Sequence, residues 1–336
     1  MDLILVSGVA GSGVSTVAAG LAHGMRERGF STAEFDSAVR APLGVSSVWS
    51  DATATFGVWL KTLGAAGLAP EELNGLPGLN DLVMGAMVAS TLSDPNVDAV
   101  IWDLGSFREA GRTLQVLDSV PMLLDRLLTG SVADKLSAPD PAASVSAWYR
   151  LVTHLARARE VINRSRSVVV GGSSDTAALL AGMGILRLYG STPATVIVNR
   201  VSKANKTQGS SDSDPALGLP VFRIRERTKA DPMPAWTASR VNSTVDLLDQ
   251  LPPISTPAWT IAKRGNGFRL TLALRPGARV QVGRRGDWLL LVCDGHARHF
   301  ELPPVLKRCL LEGGGMRAGD LILGFVPNPR VWREQP

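Results

Sequence analysis

Leu3-Ile4-Leu5-Val6-Ser7-Gly8-Val9-Ala10-Gly11-Ser12-Gly13-Val14-Ser15-Thr16 is the stretch that decides how this chain is read. Four apolar residues predict a buried strand. The glycines after them have the spacing of a phosphate-cradling loop, G-x-x-x-x-G-K-[ST], with Gly8 and Gly13 at its ends and a hydroxyl at Ser15. Backbone N–H groups of Gly11 to Ser15, opening a helix, attract an anion without help from any side chain. The lysine of the motif is replaced by Val14. That lysine ordinarily reaches the β- and γ-phosphates and stabilises the departing phosphoryl group. Valine brings neither charge nor donor, and the first lysine in the chain is Lys61.

Downstream of the loop, apolar strand-like runs alternate with helix-like stretches, the pattern of βαβ units on a parallel sheet. Helices are expected over Ser15–Arg28 (ending at Gly29), Asn80–Leu92, Thr113–Leu128, Ser144–Ser165 and Asp175–Tyr189. Strands are expected over Thr32–Phe35, Ala99–Trp102 running into Asp103, Ser167–Val170 and Thr195–Val198, with a polar loop over Ala204–Pro215. The pattern changes after Pro252-Pro253. From Phe268 onward, short alternating runs between glycine turns predict a small antiparallel β-sandwich. Its expected strands are Phe268–Leu274, Val280–Val282, Trp288–Cys293, His299–Leu302 and Leu321–Phe325, with a bend at Gly313-Gly314-Gly315. The expected division is a doubly wound, mostly parallel P-loop domain at 1–253 and a β-sandwich domain at 258–328, linked near Leu251–Pro257.

Composition narrows the function classes. A hydrophobic content of 45% with 19% charged residues fits a globular chain. No apolar run is long enough to span a bilayer, and the N-terminus has no leader-like pattern, so the expectation is cytoplasmic and not an integral membrane protein. From Ile254 to the end there are 13 Lys/Arg against 6 Asp/Glu, but no dense basic block with aromatic interleaving, which disfavours nucleic acid. Cys293 and Cys309 form no C-x-x-C pair, and His23, His154, His296 and His299 have no ligand spacing, so no zinc is expected. His296 and His299 flank an expected hairpin and read as exposed turn residues. Met84, Met87 and Met122 read as core.

The order of these motifs resembles the arsenite-pump and Get-pathway targeting ATPases, deviant P-loop proteins of the wider group that includes MinD. Their loop, G-K-G-G-x-G-K-[ST], aligns without gaps on Gly8 to Ser15. Asp103-Leu104-Gly105-Ser106 stands at the family's switch II, and Val196 to Val201 resembles the strand whose asparagine recognises adenine. The tail, about Phe268 to Pro327, is similar to the small-heat-shock-protein-like (α-crystallin) domain of some bacterial members.

The resemblance implies ATP or ADP with Mg²⁺ as cofactor. Gly8, Gly11, Gly13, Ser15 and Thr16 would cradle the phosphates, Ser15 and Asp103 would hold the metal ion, and Asn199 would read the base. It also implies a homodimer, or a heterodimer with a related ATPase, and a hydrophobic protein client. The departures from the family pattern matter equally. Both loop lysines are valines here, Val9 and Val14, and the switch I stretch Asp36-Ser37-Ala38 has alanine at the water-positioning aspartate, with Arg40 the nearby cation. No catalytic residue is therefore assigned, and a binding, targeting or regulatory subunit is expected. The alternatives are a slow ATPase with a lysine-free site, or a MinD-like localisation factor for septum or pilus machinery.

Overall fold

A computed structural model describes residues 2–37, 78–127, 153–172, 174–201, 212–214, 217–225, 242, 245, 246, 248 and 259–331. Ala38, Arg40, the first part of the helix expected at Ser144–Ser165, most of the loop expected at Ala204–Pro215 and the linker at Leu251–Pro257 lie outside the described residues.

Strand β1 (Asp2–Gly8) leads through the glycine loop into α1 (Val14–Glu27), and β2 (Thr32–Asp36) follows. Next come α2 (Leu79–Thr91), β3 (Ala99–Ser106), α3 (Phe107–Leu127) and a helical stretch α4 at 153–162. β4 (Arg166–Gly171), α5 (Thr176–Leu188), β5 (Thr192–Val201), β6 (Asp212–Asp214) and β7 (Leu219–Arg225) complete the first part. The seven strands form one sheet in the order β2-β3-β1-β4-β5-β7-β6. All neighbours pair in parallel except the edge pair β6–β7.

Alternation along β1 builds both faces of this sheet. Leu3 and Leu5 join the apolar cluster containing α2, α3 and α5. Ile4 and Val6 join the opposite cluster with Val17, Leu21 and Met25 of α1. Two helices stop where their sequences place glycine. After α1, the Gly29 N–H donates to Arg26 O and the Phe30 N–H to Met25 O; after α5, Gly190 and Ser191 repeat the arrangement on Arg187 and Leu186. Gly29 and Gly190 take φ of 88° and 91°, which closes the helix ends at no Cβ cost. Helix α3 starts in a reciprocal cap: the Glu109 carboxylate accepts the Ser106 N–H at 2.7 Å, and the Ser106 hydroxyl accepts the Glu109 N–H at 3.3 Å.

The C-terminal strands form two antiparallel sheets, β10-β11-β12 and β13-β14-β9-β8. Their members are β8 (Trp259–Arg264), β9 (Gly267–Ala273), β10 (Val280–Arg285), β11 (Trp288–Cys293), β12 (His296–Glu301), β13 (Cys309–Arg317) and β14 (Asp320–Pro327), with the short helix α6 (Pro304–Lys307) before β13. Leu270, Leu272, Leu289, Leu291, Leu321, Leu323 and Phe325 are buried within them, and Trp259 meets Phe300 edge-on at 5.3 Å.

Several expectations are corrected here. The glycine run at 313–315 lies inside β13 and is not a bend; a Cβ on Gly314 would stand 2.4 Å from Ile322 O, so glycine lets β13 close on β14. Strands β6, β7, β8 and β13 have no counterpart among the expected strands, and β6 lies within the polar loop expected at Ala204–Pro215. His296 and His299 are half-buried residues of β12, not exposed turn residues.

The β-sheets are seated on α3, α4 and α5 through a buried ionic cluster. Asp118 of α3 is 4% exposed and Arg298 of β12 is 3% exposed. The Asp118 carboxylate accepts the His299 N–H at 2.7 Å and lies 3.1 Å from Arg159 Nε and 4.0 Å from Arg298 Nε. Arg298 donates to Leu188 O and, at 2.9 Å, to Asn163 Oδ1. The Tyr189 hydroxyl donates to Ala297 O at 2.9 Å. Burial lowers the Arg298 pKa to about 10, with Asp118 opposing the shift. Among the described residues no helix is long and apolar enough to cross a membrane.

Candidate functional site

The sheet order makes β1 a switch point: β3 lies on one side of it and β4 on the other. Ligands of open α/β sheets settle in the crevice at the C-terminal ends of strands at such a point, and the glycine loop opens there. The loop is braced on both sides. The Val9 N–H donates to Val170 O at 2.9 Å, and the Ser12 hydroxyl donates to the same carbonyl at 3.2 Å. The Asn199 amide donates to Ser12 O at 2.8 Å. A Cβ on Gly8 would lie 2.1 Å from Val170 O, so β1 and β4 approach at a distance only glycine permits.

Among the described residues, helix α1 begins with no side chain to satisfy its positive end. Gly13 occupies the N-cap at φ 89°, no side chain caps the helix, and its first turn has no acidic residue. The first intrahelical bond runs from the Val17 N–H to Gly13 O at 3.0 Å, so the N–H groups of Val14, Ser15 and Thr16 have no acceptor within the helix. An anion is the natural complement of such an end. Ser12 contributes less than the spacing implied, because its N–H is already donated to Val9 O at 3.0 Å.

The lysine position is committed to packing. Val14 is 7% exposed and belongs to the apolar cluster beneath α1. Val9, at the second lysine position, is half-buried against the other cluster.

Asp103 sits in β3 beside Val6 of β1 and Asp36 of β2, within a strand that runs on to Ser106 instead of ending there. It is 3% exposed. One carboxylate oxygen accepts the Gly105 N–H at 2.7 Å, while the other has no hydrogen-bond partner among the described residues. Burial raises its pKa, against the pull of the Ser15 hydroxyl and the Gly105 N–H; the charges of Asp36 and Glu109 add to the rise. The Ser15 hydroxyl thus lies close enough to Asp103 to act on its carboxylate. The buried oxygen lacking a donor is what a hard cation would satisfy.

Gly8, Gly11, Gly13, Ser15, Asp103 and Asn199 are thus gathered around one loop, and Thr16 is half-buried in the first turn of α1. Asn199 is brought to the loop backbone itself. No group of three or more His, Cys, Asp or Glu suited to a metal occurs among the described residues. The Ser106–Glu109 cap and the neighbouring Arg108 and Arg112 went unread in the sequence. The S-x-x-E spacing directly after Asp103 was the available signal.

Because a raised folded-state pKa means the folded protein binds the Asp103 proton more tightly, ionisation of Asp103 favours unfolding. Its contribution is fully present below the unfolded pKa and is lost as pH rises through the folded value. Asp103→Asn is accordingly expected to raise Tm at neutral pH. A clear fall in Tm, measured by calorimetry at neutral pH, would show that the carboxylate is a structural residue instead.

A strand, glycine loop and helix at the switch point of a parallel sheet define a phosphate-loop α/β fold, here with a lysine-free loop. No protein-family profile matches the chain. It is 26% identical to "Uncharacterized protein SCO2128" of Streptomyces coelicolor, covering 99% of each chain. It is also 26% identical over 308 residues to "Protein Rv2184c" of Mycobacterium tuberculosis, covering 79% of this chain and 72% of that one. Among solved structures, the signal recognition particle receptor FtsY of Elizabethkingia anophelis overlays with a TM-score of 0.29 at 15% identity, over 74% of this chain. The chain spans only 64% of that receptor chain. A ParA family ATPase of Chlorobium tepidum overlays with a TM-score of 0.32 at 14% identity, over 74% of this chain and 94% of that one. Both overlays are loose, and the fold assignment rests on the sheet order and loop described above.

Proposed function

We propose that this chain is a catalytically impaired phosphate-loop protein of the arsenite-pump and Get-type kind, with the loop domain at 1–253 and an appended, crystallin-like β-sandwich at 258–328. It holds Mg²⁺-nucleotide as a structural and regulatory ligand, and acts as a binding or targeting subunit for a hydrophobic client or an active paralogue. The observation that carries this reading is the split between two sets of residues. Those that hold a ligand are kept: the uncapped α1 terminus, Ser15, and the Asp103 oxygen without a donor. The residue that would move the phosphoryl group, at position 14, is buried in the core. Magnesium bound there would supply charge neutralisation for phosphate oxygens. Ser15 and Asp103 would hold it, and the α1 N–H groups would orient the phosphates.

Val9 adds an apolar residue at the loop rim, in a position where the related ATPases send a lysine across a dimer interface. This supports association with a second copy or with a lysine-bearing relative. The test is calorimetric titration of Mg²⁺-ATP into the purified protein, with mass by light scattering before and after. Saturable binding that weakens about tenfold or more in Ser15→Ala, a loss on the scale of one charge-assisted contact, is the expected result. A mass of two chains, or co-purification of a related ATPase, is expected alongside. Absence of binding by the unaltered protein would overturn the nucleotide reading, and a lone monomer in every condition would overturn the association.

A further inference from the structure

Beside the loop, and apart from Ser15 and Asp103, lies a cleft of about 980 Å³. Its walls come from four separate parts of the fold: the rim of the loop at Gly8 to Ala10, the stretch from Ser106 into α3, Ala178 of α5, and the β11–β12 turn at Gly295 and His296. Ser15, Asp103 and Asn199 are not among its walls. A volume of this size lies at the upper end of what small-molecule sites occupy, roughly 300–1,000 Å³.

The chemistry of the walls is divided. Val9, Phe107, Val116 and Val120 offer an apolar surface, while Arg108 and Arg112 bring two guanidinium groups to the same cleft. Arg112 lies 3.5 Å from the Asp81 carboxylate through Nε, and Asp81 is also engaged by the Thr113 hydroxyl at 2.6 Å. The acidic group on the same wall, Glu109, is committed to the α3 cap, where the Ser106 N–H and hydroxyl hold its pKa below the usual carboxylate value. Glu109 stays ionised beside Arg108 and Arg112, whose charges also lower its pKa, so the cleft side chains carry two positive charges against one negative. His296 closes the far side in a fixed position, because its ring rests directly on Gly111; a Cβ there would stand 2.3 Å from the imidazole. Burial lowers the His296 pKa, so the ring presents a hydrogen-bonding face and not a charge near neutrality.

We propose that this cleft is a second ligand site, for a small organic anion with an apolar body, held by Arg108 and Arg112 at its head and by the Val116–Val120 face of α3 along its length. Because one wall belongs to the C-terminal sheets, the ligand bridges the two parts of the molecule. The cleft shares Gly8 to Ala10 with the glycine loop, and its ligand is recognised by Arg108 and Arg112 on α3.

The test uses the full chain and 1-anilinonaphthalene-8-sulfonate, a fluorescent sulfonate on an apolar body, beside the uncharged N-phenyl-1-naphthylamine. The sulfonate is expected to saturate at one site per chain and to be displaced by decanoate but not by decylamine. Arg108→Glu, an exposed position at no risk to the fold, is expected to weaken it about tenfold or more. Gln115→Trp, which fills the cleft from α3, is expected to abolish binding. Equal affinity for the uncharged probe, indifference to Arg108→Glu, or binding without saturation would each overturn the proposal, since all three describe adsorption to apolar surface.

Discussion

Asp118→Ala is expected to destabilise the protein by about 3–5 kcal/mol, the scale seen when one partner of a buried ion pair is removed and the other charge stays behind. Arg298 is the charge left behind. It is fully enclosed by β12, α5 and the Asn163 turn, and no solvent can replace the carboxylate 4.0 Å from its Nε. Arg159 and the His299 N–H lose the same acceptor. Asp118→Asn retains an acceptor for that N–H and should therefore lose less than the alanine variant. Urea unfolding followed by circular dichroism measures both. A loss under about 1 kcal/mol for Asp118→Ala would mean that water reaches the cluster and that the β-sheets are held by apolar contacts alone.

Phosphate release from Mg²⁺-ATP is expected to fall at least about 10³-fold below the ~1 s⁻¹ at the lower end of ordinary enzyme turnover. The reason is electrostatic, since position 14 faces the core and brings no charge to a leaving phosphoryl group. Val14→Lys is expected not to restore activity. It would place an ammonium where Val14 is 7% exposed among Val17, Val168 and Val170, and should destabilise the fold by about 1–3 kcal/mol. Turnover near 1 s⁻¹ that vanishes in Ser15→Ala would overturn this and turn attention to Arg108 and Arg112 as substitute cations.

The parallel sheet and the loop could be read from sequence because each βα unit is written locally: an apolar run, a glycine stop and an amphipathic helix lie within one short window. Gly29 as the end of α1 is an example, since the αL cap demands glycine at that one place. The orientation of Val14 was not legible. The motif fixes its position in the loop, but whether it faces phosphate or core depends on Val168, Val170 and Ile197, which lie far along the chain. The same limit explains His296 and His299. A hairpin turn reads as exposed until α3 is found lying across it. The glycine run in β13 reads as a bend from sequence because glycine marks both turns and close strand contacts, and only the partner β14 distinguishes the two.

The Asp118 cluster also sets a clock on biosynthesis. Asp118 and the N–H it accepts are separated by 181 residues. At about 5–20 residues per second, roughly 9–36 s pass between the synthesis of α3 and that of β12. For that interval Asp118 has no β12 to meet, and Gly111 of α3 awaits the His296 ring. The β12-facing side of α3 thus stays uncovered on the nascent chain until β12 is made. Ribosome-bound chains halted before residue 299 should be recognised by chaperones along that helix, and chains released beyond β14 should not.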